Sequence, residues 1–207
     1  MTSRIGTIGP VTGTLGNIRG AAFDDFLAWY ARERDAERLK AAVAALPPDL
    51  TASVRWTDGL PRLVPFAWYP CELVHGVLDE LTAGLSDWDR ARLAREIADT
   101  VMETTLKGVY RAIFKAIVSP SMMARVSMRV WQLYYDTGDS RITVESPTQH
   151  RAELTDWGGH HPFLCEVNRH STAWLYRALG CDQLVVKQLE CVSKGARRCT
   201  MLSTWSG

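Results

Sequence analysis

The hydrophobic period of this chain changes near Asp139, and that change limits the possible folds more than any other feature. Upstream, apolar residues recur every three to five positions, as on one face of a helix. Downstream, the stretch SRITVES alternates polar and apolar side chains, which is typical of a half-buried strand. A helical first part followed by short strands predicts an α+β domain.

Residues that are typical of helix starts and ends predict where the helices lie. A helix over residues 21–46 ends at Pro47–Pro48, and a second helix begins at Pro70. Ser86 and Asp89 have capping-box spacing before a third, long helix, whose apolar positions are Leu93, Ile97, Val101, Leu106, Val109, Ile113 and Ile117. Ser119, Pro120 and Gly138 mark the start and end of a fourth. The prolines between residues 50 and 70 indicate a connector.

Two hairpins are predicted after Asp139. The first joins SRITVES to HRAELTDW through SPTQ, and the second joins QLVVKQLECV to RRCTMLSTW. A helix from about Pro162 to Gly180 lies between them. We therefore expect N-terminal helices packed on one face of a four-stranded antiparallel sheet, with a helix between two hairpins. Residues 1–19 are predicted to form a flexible arm and 20–207 a single ligand-binding domain, helical over 20–138 and sheet plus helix over 139–207.

Composition narrows the function classes. The formal net charge of +1 gives no reason to expect nucleic acid as a partner. No segment is apolar for long enough to span a bilayer, and the N-terminus lacks the apolar core of a secretory signal, so a cytoplasmic location is expected. The GxSxG, GKS/GKT and GxGxxG motifs are missing, which argues against the common catalytic and nucleotide-binding sites. An enzyme is less expected than a binding protein.

The segment LECVSKGARRCT places Cys191 and Cys199 on either side of a basic turn. A symmetric hairpin would bring their Cβ atoms to roughly 5 Å, which suits a shared metal ion or a disulfide. Cys165 would reach them from the preceding helix, and His161 lies one turn earlier. Three thiolates with one nitrogen or oxygen donor form a common structural zinc set. Buried core thiols and a redox pair are the alternatives.

The segment from about His160 to Trp205 resembles the 4-vinyl reductase domain, a small-molecule-binding fold related to haem nitric-oxide sensors and vesicle-tethering TRAPP subunits. Cys165, Cys191, Gly195 and Cys199 match its C-terminal pattern. The resemblance implies a zinc ion at the three cysteines, beside a pocket for an aromatic or tetrapyrrole-like ligand. Gln188 stands where the family has an acidic residue, so Glu190, His161 or water would complete the site. The upstream helices are similar in order to a myxobacterial domain of unknown function.

A ligand cavity between helices and sheet is the other predicted site. The residues expected to bind the ligand or cofactor are Trp131, Tyr134, Tyr135 and Trp174, together with Met122, Met123 and Met128, although the same side chains would also serve as core. His75 is a candidate axial haem ligand, but the tyrosine, serine and arginine motif that binds haem propionates in the related sensors is not visible. We therefore expect zinc and no haem. His160 and His161 are expected to cap the next helix or to bind metal.

These features favour a non-catalytic sensor or regulatory domain that binds a small apolar or aromatic ligand, contains a structural zinc ion and forms a homodimer. Ligand binding would change helix packing at a dimer or partner surface. Two alternatives stay open: an enzyme or enzyme subunit acting on a tetrapyrrole vinyl group, and a scaffold that holds an acyl chain.

Overall fold

The computed structural model describes residues 15–107, 112 and 116–206, with the side chains of 105–107 left out. The predicted α+β class is confirmed: helices accompany a four-stranded antiparallel sheet, and two further two-stranded sheets are present. The first part of the predicted N-terminal arm, and the positions Leu106, Val109 and Ile113 of the predicted long helix, lie outside the described side chains.

The helix predicted over residues 21–46 has nearly that extent but contains an irregular turn. It comprises α1 (Gly20–Tyr30), a π-helical stretch (Ala31–Asp35) and α2 (Ala36–Ala44), and the short α3 (Pro48–Thr51) follows. Asp35 restarts the regular helix, because its side chain accepts a hydrogen bond of 2.9 Å from the backbone N–H of Arg38. The apolar face of α1 is buried through Phe23, Phe26 and Leu27.

The connector predicted between residues 50 and 70 contains strands that the sequence interpretation missed. A hairpin joins β2 (Arg55–Thr57) to β3 (Leu60–Arg62), and β4 (Trp68–Pro70) pairs with β1 (Asn17–Arg19). Asp58 and Gly59 both have positive φ, 50° and 72°, as a two-residue hairpin turn requires. The Asp–Gly pair is the signal that could have predicted this turn. Strands of three residues are too short for a recognisable alternation.

Three longer helices follow: α4 (Cys71–Thr82), α5 (Asp87–Lys107) and α6 (Pro120–Trp131). The predicted caps are present, since the hydroxyls of Ser86 and Ser119 accept from the N–H groups of Asp89 (3.1 Å) and Met122 (3.2 Å). Helix α6 ends seven residues before the predicted stop at Gly138. The reason is that residues 132–136 turn back to β1, where the N–H of Arg19 donates to the carbonyl of Tyr134 at 2.8 Å.

The main sheet consists of two hairpins with a helix between them. Strands β5 (Asp139–Ser146) and β6 (Gln149–Thr155) precede α7 (Pro162–Ala178), and β7 (Asp182–Glu190) and β8 (Cys199–Ser206) follow it. The strand order is β5-β6-β8-β7, so the two hairpins join through β6 and β8. Within the described residues, no helix is both long and apolar enough to cross a membrane.

One hydrophobic core connects the helical half to the sheet half. It runs from Phe26 and Leu27 of α1 through α4 to Trp157, Phe163 and the cysteines of α7 and β8. A smaller cluster contains Met102, Ile117, Met123 and Leu175. A cavity lies where these two groups meet the sheet.

Candidate ligand cavity and adjacent cysteine cluster

A cavity of about 230 Å³ lies between the helices and one face of the main sheet. Helices α1, α4, α5, α6 and α7 and strands β5, β6, β7 and β8 all contribute to its lining. Most of the lining is apolar, and its aliphatic and thioether part consists of Ile18, Ala22, Leu78, Ile97, Val101, Met102, Met123, Val130, Ile142, Ala152, Leu154, Leu164, Val167, Leu175 and Met201. Such a surface suits an apolar ligand.

An aromatic wall closes one side of the cavity. The rings of Trp131 and Tyr135 stack with centroids 4.3 Å apart, and both meet Trp157 edge-on, at 5.1 and 4.9 Å. The indole N–H of Trp131 donates to the carbonyl of Thr137 at 2.9 Å, which fixes its ring. Burial raises the pKa of Tyr135, so this phenol is neutral at physiological pH.

The predicted ligand-binding residues divide between the cavity and its surroundings. Trp131, Tyr134 and Tyr135 line the cavity, as does Met123, whereas Trp174 packs against the smaller apolar cluster. Met122 and Met128 are not among the described lining residues. Helix α7 has apolar residues on two sides, one facing the cavity and one carrying Trp174. Helical periodicity alone therefore did not show which side faces the cavity.

Few polar groups reach the cavity, and most of them already have partners. The hydroxyl of Ser127 lies 3.2 Å from the carbonyls of Ala124 and Ser140. Glu153 forms an ion pair of 2.9 Å with Arg198, and the amide nitrogen of Gln188 donates to backbone carbonyls. No lysine, arginine or histidine is found among the described lining residues.

A cluster of three thiols and one imidazole adjoins the cavity. Cys199 Sγ lies 3.8 Å from Cys191 Sγ, 4.0 Å from Cys165 Sγ and 3.8 Å from His160 Nδ1. His160 Nδ1 is also 4.0 Å from Cys165 Sγ. Cys165 and Cys199 themselves line the cavity. The ligand atoms of His160, Cys165 and Cys199 lie within 4.8 Å of one another, close enough to hold a metal ion.

Hydrogen bonding makes the three thiols unequal acids. Hydrogen bonds from Cys165 and Cys199 lower the pKa of Cys191, and burial opposes this effect. Hydrogen bonding to Cys191 and Cys199 raises the pKa of Cys165. Burial lowers the pKa of His160, which favours the neutral imidazole, and its Nδ1 can accept a hydrogen bond from a thiol. Cys191 is therefore the thiol of this cluster whose ionisation the hydrogen bonds favour.

The structure brings Cys165, Cys191 and Cys199 together but not the two other candidate ligands. His161 Nε2 bonds Asp79 at 3.0 Å while its Nδ1 accepts from the N–H of Phe163, so this residue caps α7. Gln188 donates to the backbone of Glu190 and Thr200. The alternative ligand Glu190 binds Arg198 at 3.1 Å and Thr200 at 2.7 Å.

His160 is the residue that the sequence interpretation undervalued at this site. It immediately precedes the cap residue His161, and the two glycines before it allow the loop to place its ring against Trp157, 4.8 Å between centroids. His75, the candidate axial ligand, lies outside the cavity lining, and its Nε2 is 3.0 Å from the carbonyl of Gly159.

No protein-family model and no curated protein matches this sequence. Several solved structures share its fold. An unliganded Fe(II) H-NOX protein from K. algicida superposes with a TM-score of 0.66 at 10% identity, over 91% of this chain and 97% of that one. An S. oneidensis H-NOX protein in the Fe(II)NO state gives 0.63 at 9% identity, over 91% and 99%. An oxygen-binding H-NOX domain related to soluble guanylate cyclases gives 0.63 at 10%, over 91% and 95%.

These neighbours correct two predictions. The resemblance to the 4-vinyl reductase domain is wrong, because the neighbours are H-NOX domains that superpose on the helices as well as the sheet. The cysteine spacing that suggested it covers only α7 and the last hairpin. The prediction of zinc as cofactor, with haem set aside, is also contradicted, since the neighbours' names specify Fe(II). It depended on the same short cysteine pattern.

Proposed function

We propose that this chain is the ligand-binding domain of a sensor, and that its ligand is a small apolar molecule held in the cavity between the helices and the main sheet. The observation that carries the proposal is the apolar cavity of about 230 Å³ itself, lined by both halves of the fold. The fold neighbours support a sensor role, because one of them is an oxygen-binding domain related to soluble guanylate cyclases.

The names of other solved structures with this fold mention haem, and a haem site requires particular residues in a cavity lining. Haem iron is held by histidine, cysteine, methionine or tyrosine, and its two propionates need polar or cationic partners. The described lining offers Cys165, Cys199, Met123 and tyrosines, but no histidine, arginine or lysine. These residues do not fit a histidine-ligated haem with paired propionates, and no step of the proposed function passes through haem.

The same side chains that line the cavity also join the two halves of the domain, which supports signalling from it. Trp131 and Tyr135 contact Trp157 at the end of β6, while Ile18 of β1 forms a bridge with Tyr135. A ligand that moves this wall would move β1 relative to the sheet. Binding then shifts the population of two packing arrangements, if the ligand prefers one of them. The homodimer predicted above stays a prediction.

The test is to purify the chain without added ligand and analyse it by native mass spectrometry, absorption spectroscopy and extraction. We expect a small organic molecule in a one-to-one complex. Ala152→Phe, which places a large ring in the cavity lining, should abolish its retention, whereas Ala44→Phe at an exposed position of α2 should not. Native mass spectrometry of the same samples measures the oligomeric state.

Two outcomes would contradict the proposal in different ways. A Soret band, with haem released on denaturation, would make haem the occupant and refute the proposed ligand class while leaving the cavity as the site. Equal retention of the ligand by Ala152→Phe and by the wild-type protein would place the ligand elsewhere on the molecule.

A further inference from the structure

We infer that the ligand of this cavity is uncharged and carries a hydrogen-bond acceptor, such as a ketone or ester carbonyl, that binds the side-chain amide of Asn168. This inference rests on the proposed function and names the chemical class of its ligand.

Asn168 occupies the middle of the cavity face of α7. Its neighbours at helical spacings of three and four residues all line the cavity: Leu164, Cys165, Ser171 and Thr172. The hydroxyl of Thr172 donates to the backbone carbonyl of Asn168 at 2.9 Å, so the main chain here belongs to a regular helix. The side chain of Asn168 therefore projects from a fixed backbone into the lining.

The amide nitrogen of Asn168 is buried and has no hydrogen-bond partner. A buried donor without a partner is unfavourable, and most such groups in folded proteins are satisfied. Here the group belongs to a cavity lining rather than to the solid core, so an acceptor carried by a ligand can supply the missing bond. An apolar ligand with one carbonyl can supply the bond to Asn168 and leave the rest of its surface against the apolar lining.

The charges around the cavity favour a neutral ligand. Of the described residues that line it, none is a lysine, arginine or histidine, so an anionic ligand would lose its hydration without gaining a cation. The carboxylate of Glu153 is already paired with Arg198 at 2.9 Å. A cationic ligand would have to compete with that arginine.

The cavity volume sets the size of a suitable probe. A protein cavity of about 150 Å³ with an apolar lining binds benzene. The present volume of about 230 Å³ is larger by half, which suits a bicyclic aromatic ring with a short substituent. Three naphthalenes of nearly equal size separate the relevant properties: 2-acetylnaphthalene has a neutral acceptor, 2-ethylnaphthalene has none, and 2-naphthoate is an anion.

The experiment measures dissociation constants of the three probes for the full chain by titration calorimetry. We expect 2-acetylnaphthalene to bind about three- to tenfold more tightly than 2-ethylnaphthalene, the range for one neutral hydrogen bond. The anion 2-naphthoate should bind most weakly. In Asn168→Leu the preference for the ketone should disappear while the hydrocarbon still binds. Gln132→Leu, the same kind of change at an exposed amide at the end of α6 and outside the lining, should keep the preference.

Each other outcome counts against a specific statement. Equal binding of ketone and hydrocarbon to the wild-type protein, or a ketone preference that survives Asn168→Leu, would overturn the inference about Asn168 and leave the proposed cavity function intact. Tightest binding of 2-naphthoate would overturn the neutral ligand. Failure of all three probes to bind the wild-type chain would overturn the proposed function together with the inference. If Asn168→Leu does not fold, Asn168→Ala gives the same comparison, because it also removes the side-chain donor.

Discussion

The Sγ atoms of Cys165 and Cys199 lie 4.0 Å apart, although the residues are 34 positions apart and belong to a helix and a strand. Each thiol also lines the cavity between the helices and the main sheet. This contact therefore joins α7 to the terminal hairpin at the point where a bound ligand would touch both. The contribution of this contact to the free energy of unfolding can be measured separately from the contribution of burying each thiol.

A double-mutant cycle should show that Cys165 and Cys199 act together. We expect the free energies of unfolding of Cys165→Ala, Cys199→Ala and the double variant to be non-additive by about 0.5 kcal/mol or more, as for residues in direct contact. The control cycle pairs Cys199 with Cys181, which is equally buried but stands at the opposite end of the terminal hairpin. Urea unfolding measures all of these values, and additivity in both cycles would deny a special role for the contact.

Asp24→Ala should be strongly destabilising. The buried carboxylate of Asp24 accepts two hydrogen bonds from Arg62, at 2.9 and 2.6 Å, and one of 2.8 Å from the N–H of Leu63. Its removal leaves a buried donor and a partly buried cation without partners, which costs about 2–4 kcal/mol. Thermal unfolding should show a melting temperature lower by about 5–10 °C. Asp49→Ala, at an exposed carboxylate, serves as control, and a similar loss there would contradict this explanation.

Asp25 should make the stability depend on pH in a defined direction. Burial, aided by the charge of Asp24 and opposed by Arg62, raises the pKa of Asp25 from 3.8 to about 6. The folded state therefore binds this proton more tightly than the unfolded state. Its stabilising contribution is complete below the unfolded pKa and is lost as the pH rises through about 6.

Asp25→Asn removes that titration. We expect the variant to be more stable than the wild-type protein near pH 7.5, because it no longer places a carboxylate in a partly buried position. The gain should be only about 1 kcal/mol, since solvent screens the charge of a partly buried group. The difference should shrink towards pH 4. Chemical unfolding across this range measures it. A variant whose stability runs parallel to that of the wild-type protein at every pH would refute the prediction.

Gly138→Ala should damage the aromatic wall. Gly138 has a φ of +91°, and an added Cβ would lie 2.8 Å from Trp157 Cβ and 3.0 Å from Trp131 Nε1. The matched control is Gly84→Ala, where φ is +76° but no atom lies within 4 Å of the new Cβ. Both changes carry backbone strain of about 1–2 kcal/mol, and only Gly138→Ala should add at least ~1 kcal/mol for the clash. Equal losses in urea unfolding would mean that the wall has room to move.

Much of the fold could be predicted because its signals are local. The caps at Ser86 and Ser119, and the alternation on either side of residues 147–148, are short-range features that tertiary contacts reinforce. The end of α6 could not be predicted in this way. It is set by the bond from Arg19 to the carbonyl of Tyr134, between residues more than a hundred positions apart.

The candidate site was predictable only in part for a similar reason. Hairpin geometry brings Cys191 next to Cys199, so their spacing in the sequence was informative. The sequence did not show which of His160 and His161 lies near the thiols. In the structure His161 caps α7, and His160 then faces the thiols. The sequence did not identify Asn168 as a site residue. A single polar residue on an apolar helix face indicates a binding site only when that face is known to line a cavity.

The pairing of the first strand has a consequence for how this protein is made. The side chain and N–H of Asn17 bond to the carboxylate of Asp136, 119 residues later. Ribosomes add about 5–20 residues per second, so roughly 6–24 seconds separate the synthesis of the two partners. During that interval β1 cannot pair with Tyr135. The side of the cavity that contains Ile18 therefore cannot be complete. The pairing of β1 with β4 needs only residues up to Pro70, so β1 can be in place within the helical half before the residues that complete the aromatic wall are made.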